Sequence, residues 1–505
     1  IVIQKKRIDV SPPRQARVVQ GKITDLKGGP LPGVSVSEKG KNNSTVTDID
    51  GNYRITVKGT TPILVFSSIG YTSHEANVEE KNVLNITLQE QAQTLDQVVV
   101  VAYGSTTKKS STGSLQTVDA KDLQDIPAAQ VTQKLQGRLS GVQINQTTGR
   151  PGQGMQVRIR GSASISTASN PLYVVDGFPI VGDISNINPN EIETVTVLKD
   201  AASTSLYGSR AAFGVVMITT KSAKAGQTNI SANAFTGIQS VPQKGRPDMM
   251  NGTEWAQFKK EYYEDLGQPV PSAFQNPEQY GEGYDWYDAM LRSANIRDFS
   301  LSLNTSKENF SSSVVAGYFK QDGVLLNSNY NRFSLRANTT FKVSEKIKMG
   351  VNIAPTYSFD NSPATDGIFF GSGGLLNNAL LTPPILNYRS EDGSLPVTVT
   401  TPEITAFPTA NWVRSIQDIV SKNDVNRLLS NAYLSYEPVK DLTLKSSINI
   451  DLGQNTYKYF QPSTAARAFA TAPSALTANL TLTNGRYYSW LTENTANWLK
   501  SMGDH

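Results

Sequence analysis

From about residue 228 onward the chain alternates. Phe333, Leu335, Ala337, Thr339, Phe341 and Val343 occupy every second position, with Ser334, Arg336, Asn338, Thr340 and Lys342 between them. A period of two puts one apolar and one polar face on a single strand. Leu442, Leu444, Ser446, Ile448 and Ile450 alternate in the same way against Thr443, Lys445, Ser447, Asn449 and Asp451, and Phe299–Leu303, Leu428–Tyr436 and Leu476–Thr483 repeat the pattern. About nine strands are predicted here. Their connections alternate as well, short at Thr305–Asn309, Ser344–Lys346 and Glu437–Lys440 but long at about 240–296 and 360–426. Short turns at one end and long loops at the other suit a membrane β-barrel. A soluble β-sandwich is the alternative, since its strands alternate too.

Upstream the period changes twice. Arg17–Leu88 reads as short strands (Arg17–Ile23, Val34–Ser37, Tyr53–Val57, Ile63–Ser67, Val83–Leu88) cut by Gly, Pro, Asn and Asp turns, a small all-β sandwich. Leu115–Lys221 is mixed, with a predicted helix at Val131–Leu139 and strands at Gln156–Arg160, Leu172–Val175, Ile192–Leu198 and Gly214–Thr220. Between them lies Leu95–Gly104, whose run Val98, Val99, Val100, Val101 favours extended backbone. It reads either as one more buried strand or as a segment able to pair with another protein's sheet edge.

Composition narrows the chemistry. The 505 residues are enough for several domains. No run of about 18 apolar residues is present to cross a bilayer as a helix, which leaves a strand-built membrane domain open. There is no cysteine, hence no disulfide or thiolate site, and His74 and His505 lack ligand spacing. Asp48–Gly51 lacks the later ligands of a calcium loop and reads as a turn. The glycine runs Gly149–Gly154 and Gly371–Gly374 lack a phosphate loop's Lys-Ser/Thr and read as flexible backbone. A net charge of +4 on 47 basic and 43 acidic residues, without a dense basic block, argues against nucleic acid as a partner. No catalytic constellation emerges, and no cofactor or metal is expected.

Two sets of motifs carry a family resemblance. Val19-Gln20-Gly21-Lys22-Ile23-Thr24-Asp25, Pro30-Leu31-Pro32-Gly33-Val34-Ser35-Val36, Thr47-Asp48-Ile49-Asp50-Gly51-Asn52-Tyr53 and Phe66-Ser67-Ser68-Ile69-Gly70-Tyr71 resemble a carboxypeptidase-D regulatory-like domain. Gly149-Arg150-Pro151-Gly152, Val157-Arg158-Ile159-Arg160-Gly161, Asn170-Pro171-Leu172-Tyr173-Val174-Val175-Asp176-Gly177, the stretch Ile184–Glu193 and the stretch Val197–Ala212 resemble the plug of TonB-dependent receptors. The Asn170–Gly177 and Leu198–Ser203 portions match the SusC/RagA signature.

The resemblance implies a multi-domain, mainly β protein. Residues 1–16 would be a remnant of a secretin/TonB short N-terminal domain, 17–92 the regulatory-like β-sandwich, 93–114 a TonB box and linker, 115–225 an α/β plug, and 226–505 the first part of a transmembrane antiparallel β-barrel. A complete plugged barrel needs about 22 strands, so roughly half would be missing. The implied function is energised import of a large nutrient, an oligosaccharide first and a peptide second, across the bacterial outer membrane. The implied partners are TonB with its inner-membrane complex, a SusD-like surface lipoprotein, membrane lipid, and a second transporter–lipoprotein pair in a dimer. Asp96, Gln97, Val98, Val99, Val100 and Val101 would form the TonB box, although Gln97 and Ala102 depart from the expected Glu and Gly. Arg158, Arg160, Glu191, Glu193 and Arg210 would make plug–barrel ion pairs, ordinary surface charge being the alternative. A signal-transducing receptor and a secreted β-rich adhesin remain as other readings.

Overall fold

The computed structural model describes residues 16–498 apart from 27, 42, 59–61, 69–70, 79–81, 90–97, 102–103, 108–114, 120–121, 123–127, 147–148, 160, 162–169, 224–225, 227, 364, 366–373, 400–402, 405–408 and 468–471. Asp96, Gln97, Arg160 and Ile1–Lys5 therefore lie outside the described residues.

The first unit is a two-sheet sandwich. Ala16–Thr24 pairs antiparallel with Asn52–Lys58 and parallel with Ile86–Thr87. The second sheet orders Ser44–Val46, Ser35–Glu38, Ile63–Ser67 and His74–Asn77. Tyr53, Ile55 and Val57 alternate inward to meet Val19, Val36, Leu64 and Phe66. Burying such side chains contributes about 1.5–3 kcal/mol each. The Asp48 turn is a hydrogen-bonded Asx turn, its carboxylate accepting from Asp50 N (3.1 Å) and Asn52 N (2.8 Å). The sequence reading missed Ser44–Val46 and His74–Asn77, both short and polar. It also overextended Val83–Leu88, where only Ile86–Thr87 is strand.

Val98–Val101 forms a strand in a two-stranded sheet with Gly104–Thr107.

In the second unit, a middle domain builds a five-stranded sheet in the order Leu115–Asp119, Ile192–Leu198, Val215–Thr220, Leu172–Val175, Phe178–Pro179. A hairpin of Val142–Asn145 with Gln156–Ile159 and a helix at Val131–Leu135 complete it. The helix stops short of the predicted Leu139 because Gly137 turns the backbone to φ 74°.

The alternating region folds into one eight-stranded antiparallel meander: Thr228–Gln239, Ala294–Lys307, Phe310–Asp322, Asn329–Ser344, Ile347–Asn361, Val420–Val439, Leu442–Gln461 and Asn479–Trp498. Among the described residues the count is eight rather than about nine, and the last strand starts at Asn479 because Ala475–Thr477 is a 3-10 turn. Links at 308–309, 345–346 and 440–441 are two residues long, whereas those at the other end span 240–293, 323–328, 362–419 and 462–478. The described parts of the long links are folded. Gly252–Asp265 is a helix with an Asn251/Glu254 capping box. Trp286, Leu375, Trp412 and Ile416 share an apolar core, and the Asn327 side-chain amide donates to the Ile416, Gln417 and Ile419 carbonyls at 2.9–3.1 Å.

Candidate functional site: the wall facing the middle domain

The sheet inverts the usual order of inside and outside. Phe299, Leu301, Phe333 and Leu335, neighbours on one face, are 43–52% exposed, while Ser300, Ser334 and Arg336 on the other face are 9%, 7% and 3% exposed. The polar face is the buried one. It is covered by the middle domain, whose core cluster takes in Ala354 and Leu429 of the sheet. A concavity of about 1150 Å³, lined by Phe299, Leu301, Phe333, Leu335 and Tyr357, follows the apolar outer face.

Three arginines of the wall grip residues 129–191 of the middle domain. Arg336 Nε lies 2.8 Å from Glu191 Oε2, and its Nη1 lies 3.5 Å from Asp176 Oδ2. Asn352 joins them, accepting from Arg336 Nη1 (3.1 Å) and donating to Asp176 Oδ2 (2.8 Å). Arg332, four residues away and therefore on the same face of the strand, donates to the carbonyls of Ala129 and Ile187. Arg427 forms a two-pronged pair with Asp451 (3.0 and 2.8 Å) and donates to the Asp183 carbonyl (3.0 Å) and the Val181 carbonyl (2.7 Å). Asp451 in turn accepts from Val181 N at 2.9 Å. Such forked charge-assisted bonds fix orientation as well as position.

Local sequence sets up these contacts. Val175-Asp176-Gly177-Phe178 is a two-residue hairpin with positive φ at both central residues (50° and 88°), the conformation that an Asp-Gly pair tolerates. The turn holds the Asp176 carboxylate against Thr220 N and Oγ1, both at 2.8 Å, and toward the wall. Asn186, Asn188 and Asn190 follow at alternate positions and meet Ser358 (3.1 Å), Ser334 (2.9 Å) and Asp298 (3.2–3.3 Å) respectively. At the other flank Gly152, at φ 75°, approaches so closely that a Cβ there would sit 2.1 Å from Tyr330 Cδ2. Gly152 is thus a packed contact, and the reading of that glycine run as merely flexible is corrected.

Of the residues singled out from sequence, Glu191 is 2% exposed and faces Arg336. Glu193 is half-buried; with Glu191 it opposes the burial that pushes the Lys221 ammonium below its usual range. Arg158 is half-buried on the hairpin, in register with Gln143, and Arg210 is exposed. Arg332, Arg427, Asp176, Asn352 and the Asn186/Asn188/Asn190 series were missed. A signal existed in part, since Arg336, Asn449 and Asp451 stand on the polar side of the alternation. Among the described residues no group of three or more His, Asp or Glu is placed to hold a metal.

This arrangement holds one domain inside a polar wall through hydrogen bonds that water can replace one at a time. An interface of that kind can be opened without exposing a large apolar core.

Comparison with known proteins agrees with this architecture. Residues 107–215 match the TonB-dependent Receptor Plug Domain and residues 19–100 the CarboxypepD_reg-like domain. TonB-dependent receptor P26 of Formosa agariphila is 32% identical over 97% of this chain and 48% of its own length. TonB-dependent receptor SusC of Bacteroides thetaiotaomicron is 34% identical over 67% of this chain and 33% of its own. The RagAB peptide importer in its open-open state superposes with a TM-score of 0.68 at 26% identity, over 81% of this chain and 47% of that one. The chain spans about half the length of P26 and of a second Formosa agariphila receptor, P3, 48% and 47% respectively. With the motifs, the middle domain seated in a polar-faced meander and these relatives all in agreement, the chain belongs to the SusC/RagA family of TonB-dependent receptors.

Proposed function

We propose that this protein imports an oligomeric nutrient, an oligosaccharide or a peptide, across the bacterial outer membrane under TonB drive and beneath a SusD-like lipoprotein. The observation that carries the reading is the inverted sheet: its apolar face is exposed and its polar face is buried against the plug. Exposed strands of that kind suit hydrocarbon outside, and a polar lumen suits hydrophilic cargo once the plug moves. The long, folded links would face outward and the two-residue turns the periplasm.

In this reading Asp96–Val101 is the TonB box. TonB pairs with it as an added strand, since backbone hydrogen bonds tolerate sequence variation and resist a pull along the strand. The extended Val98–Val101 backbone is compatible with that role. Force on the box displaces part of the plug, whose hold on the wall rests on Arg332, Arg336 and Arg427.

Two results are expected. Deleting Asp96–Val101 abolishes uptake of labelled maltooligosaccharides or of a peptide pool by cells while insertion in the membrane stays normal; undiminished uptake by that mutant rejects TonB drive through this segment. Placing a charge on the outer face, as in Leu335→Arg, costs about 2–4 kcal/mol at the bilayer midplane, read as a lower urea midpoint in lipid vesicles. A Leu335→Arg protein as stable in vesicles as the parent would remove the membrane reading.

A further inference from the structure

Away from the plug, the folded long links enclose a second cavity of about 280 Å³. Its walls are Asp248, Met249, Met250 and Asn251 from one link and Glu282, Tyr284, Asp285, Trp286 and Tyr287 further along it, closed on the far side by Ala379–Pro384 of another. The cleft is preformed. Tyr284 N donates to the Pro384 carbonyl at 2.7 Å, Gly252 N to the Glu282 carbonyl at 3.1 Å, and Trp286 Nε1 to the Leu386 carbonyl at 3.0 Å. These bonds pin three segments before any ligand arrives, so little ordering cost remains for binding.

The chemistry of the walls is directional. Met249, Met250 and Tyr284 are exposed to 52%, 48% and 38%, presenting apolar and aromatic surface to the cleft. The lining carries one cation, Arg246, and its charge is already met by Asp288 at 2.7 Å. The Asp285 carboxylate accepts from Asp288 N at 2.8 Å. Asp248 and Glu282 have no hydrogen-bond or ion-pair partner through their carboxylates among the described residues. A small cleft with two unpaired carboxylates, an exposed tyrosine and two thioethers offers an alkyl ammonium or guanidinium what it needs: charge for the head, ring faces beside it, and soft apolar surface for the stem. It would repel sulfated or uronic sugars, and the Trp286 ring is too buried to offer a free stacking face to a neutral one.

We infer that this cleft takes one basic group of an oligopeptide ligand, a lysine or arginine side chain or a free amino terminus. The inference rests on the import reading and names the class of cargo. The cleft would act as a selectivity subsite while the rest of the peptide lies elsewhere.

Equilibrium binding to the purified, detergent-solubilised transporter tests this without TonB, using acetylated, amidated tetrapeptides Ala-Lys-Ala-Ala and Ala-Gln-Ala-Ala and, as a polyhydroxyl probe, maltotetraose. The lysine peptide is expected to bind about tenfold more tightly than the glutamine peptide at low salt, with the advantage shrinking as salt rises. It should vanish in Asp248→Asn/Glu282→Gln, a change on exposed side chains that leaves folding intact. Equal affinity of the two peptides for the parent protein, an advantage that survives the double substitution, or maltotetraose binding that depends on the same two carboxylates would each overturn it. Loss of import on deleting Asp96–Val101 is read in cells, so either idea can fail while the other stands.

Discussion

Arg336→Ala is expected to loosen the plug from its wall by about 3–5 kcal/mol, the usual cost of removing one partner from a buried ion pair. The magnitude follows from what remains behind. Glu191 and Asp176 both turn carboxylate oxygens toward Arg336, Glu191 is 2% exposed, and Asn352 alone cannot neutralise either charge. Hydrogen exchange is the direct readout. Amides of Leu172–Val175 and Ile192–Leu198 should exchange about a hundredfold faster or more, because each 1.4 kcal/mol is a factor of about ten. A double-mutant cycle with Glu191→Gln isolates the pair: a coupling of about 1 kcal/mol or more is expected for groups in contact. Exchange indistinguishable from the parent protein would mean that water already satisfies Glu191 and that the arginine is a bystander.

The second large effect is steric. Gly152→Val puts a branched side chain where even a Cβ would lie 2.1 Å from Tyr330 Cδ2, in a backbone conformation that β-branched residues resist. Tyr330 is 3% exposed and packs with Ala129 and Phe319, so it has no vacant space to move into. The plug should fail to seat fully, with a loss of about 3 kcal/mol or more by combined overpacking and strain. Tyr330→Ala is costly by itself, about 3 kcal/mol for an emptied aromatic site. The two changes together should nevertheless cost clearly less than their sum, because the cavity left by one receives the side chain added by the other. Ion leakage through the protein in planar bilayers reads the outcome, and strict additivity would place the damage elsewhere.

Arginine is well suited to this interface. Its fork satisfies a carboxylate and a carbonyl together, as Arg427 does with Asp451 and the Val181 and Asp183 backbone. Bonds of this kind hold against thermal motion because many act in parallel, yet water can take over each donor in turn once force is applied to one end.

How much of this was legible beforehand differs by level. The strands from residue 228 onward were visible because a two-residue period survives any arrangement of the chain, and the spacing of the alternating runs sorts the links into short and long. The order of strands is a simple meander, so neighbours in sequence are neighbours in space. Boundaries slipped where polar ends gave no signal, as at Asn479 and Ser44–Val46. The folded cores within the long links were hidden, since Trp286 and Trp412 come together across more than a hundred residues of intervening chain.

The sequence by itself determined the class of the protein: three kinds of domain in order, a valine strand between two of them, and a sheet with one apolar and one polar face. It also supplied Glu191 and the polar rows holding Arg336 and Asp451. Alternation alone does not say which face is buried, because a sandwich and a plugged barrel share it. Only the tertiary structure decided that the polar face lies inside, that Arg336 meets Asp176 and Glu191 from 145 to 160 residues away in the chain, and that Gly152 is wedged against Tyr330. The reason is physical: periodicity is a local property of the backbone, whereas the partner of a buried charge is set by packing between segments that local propensity does not connect.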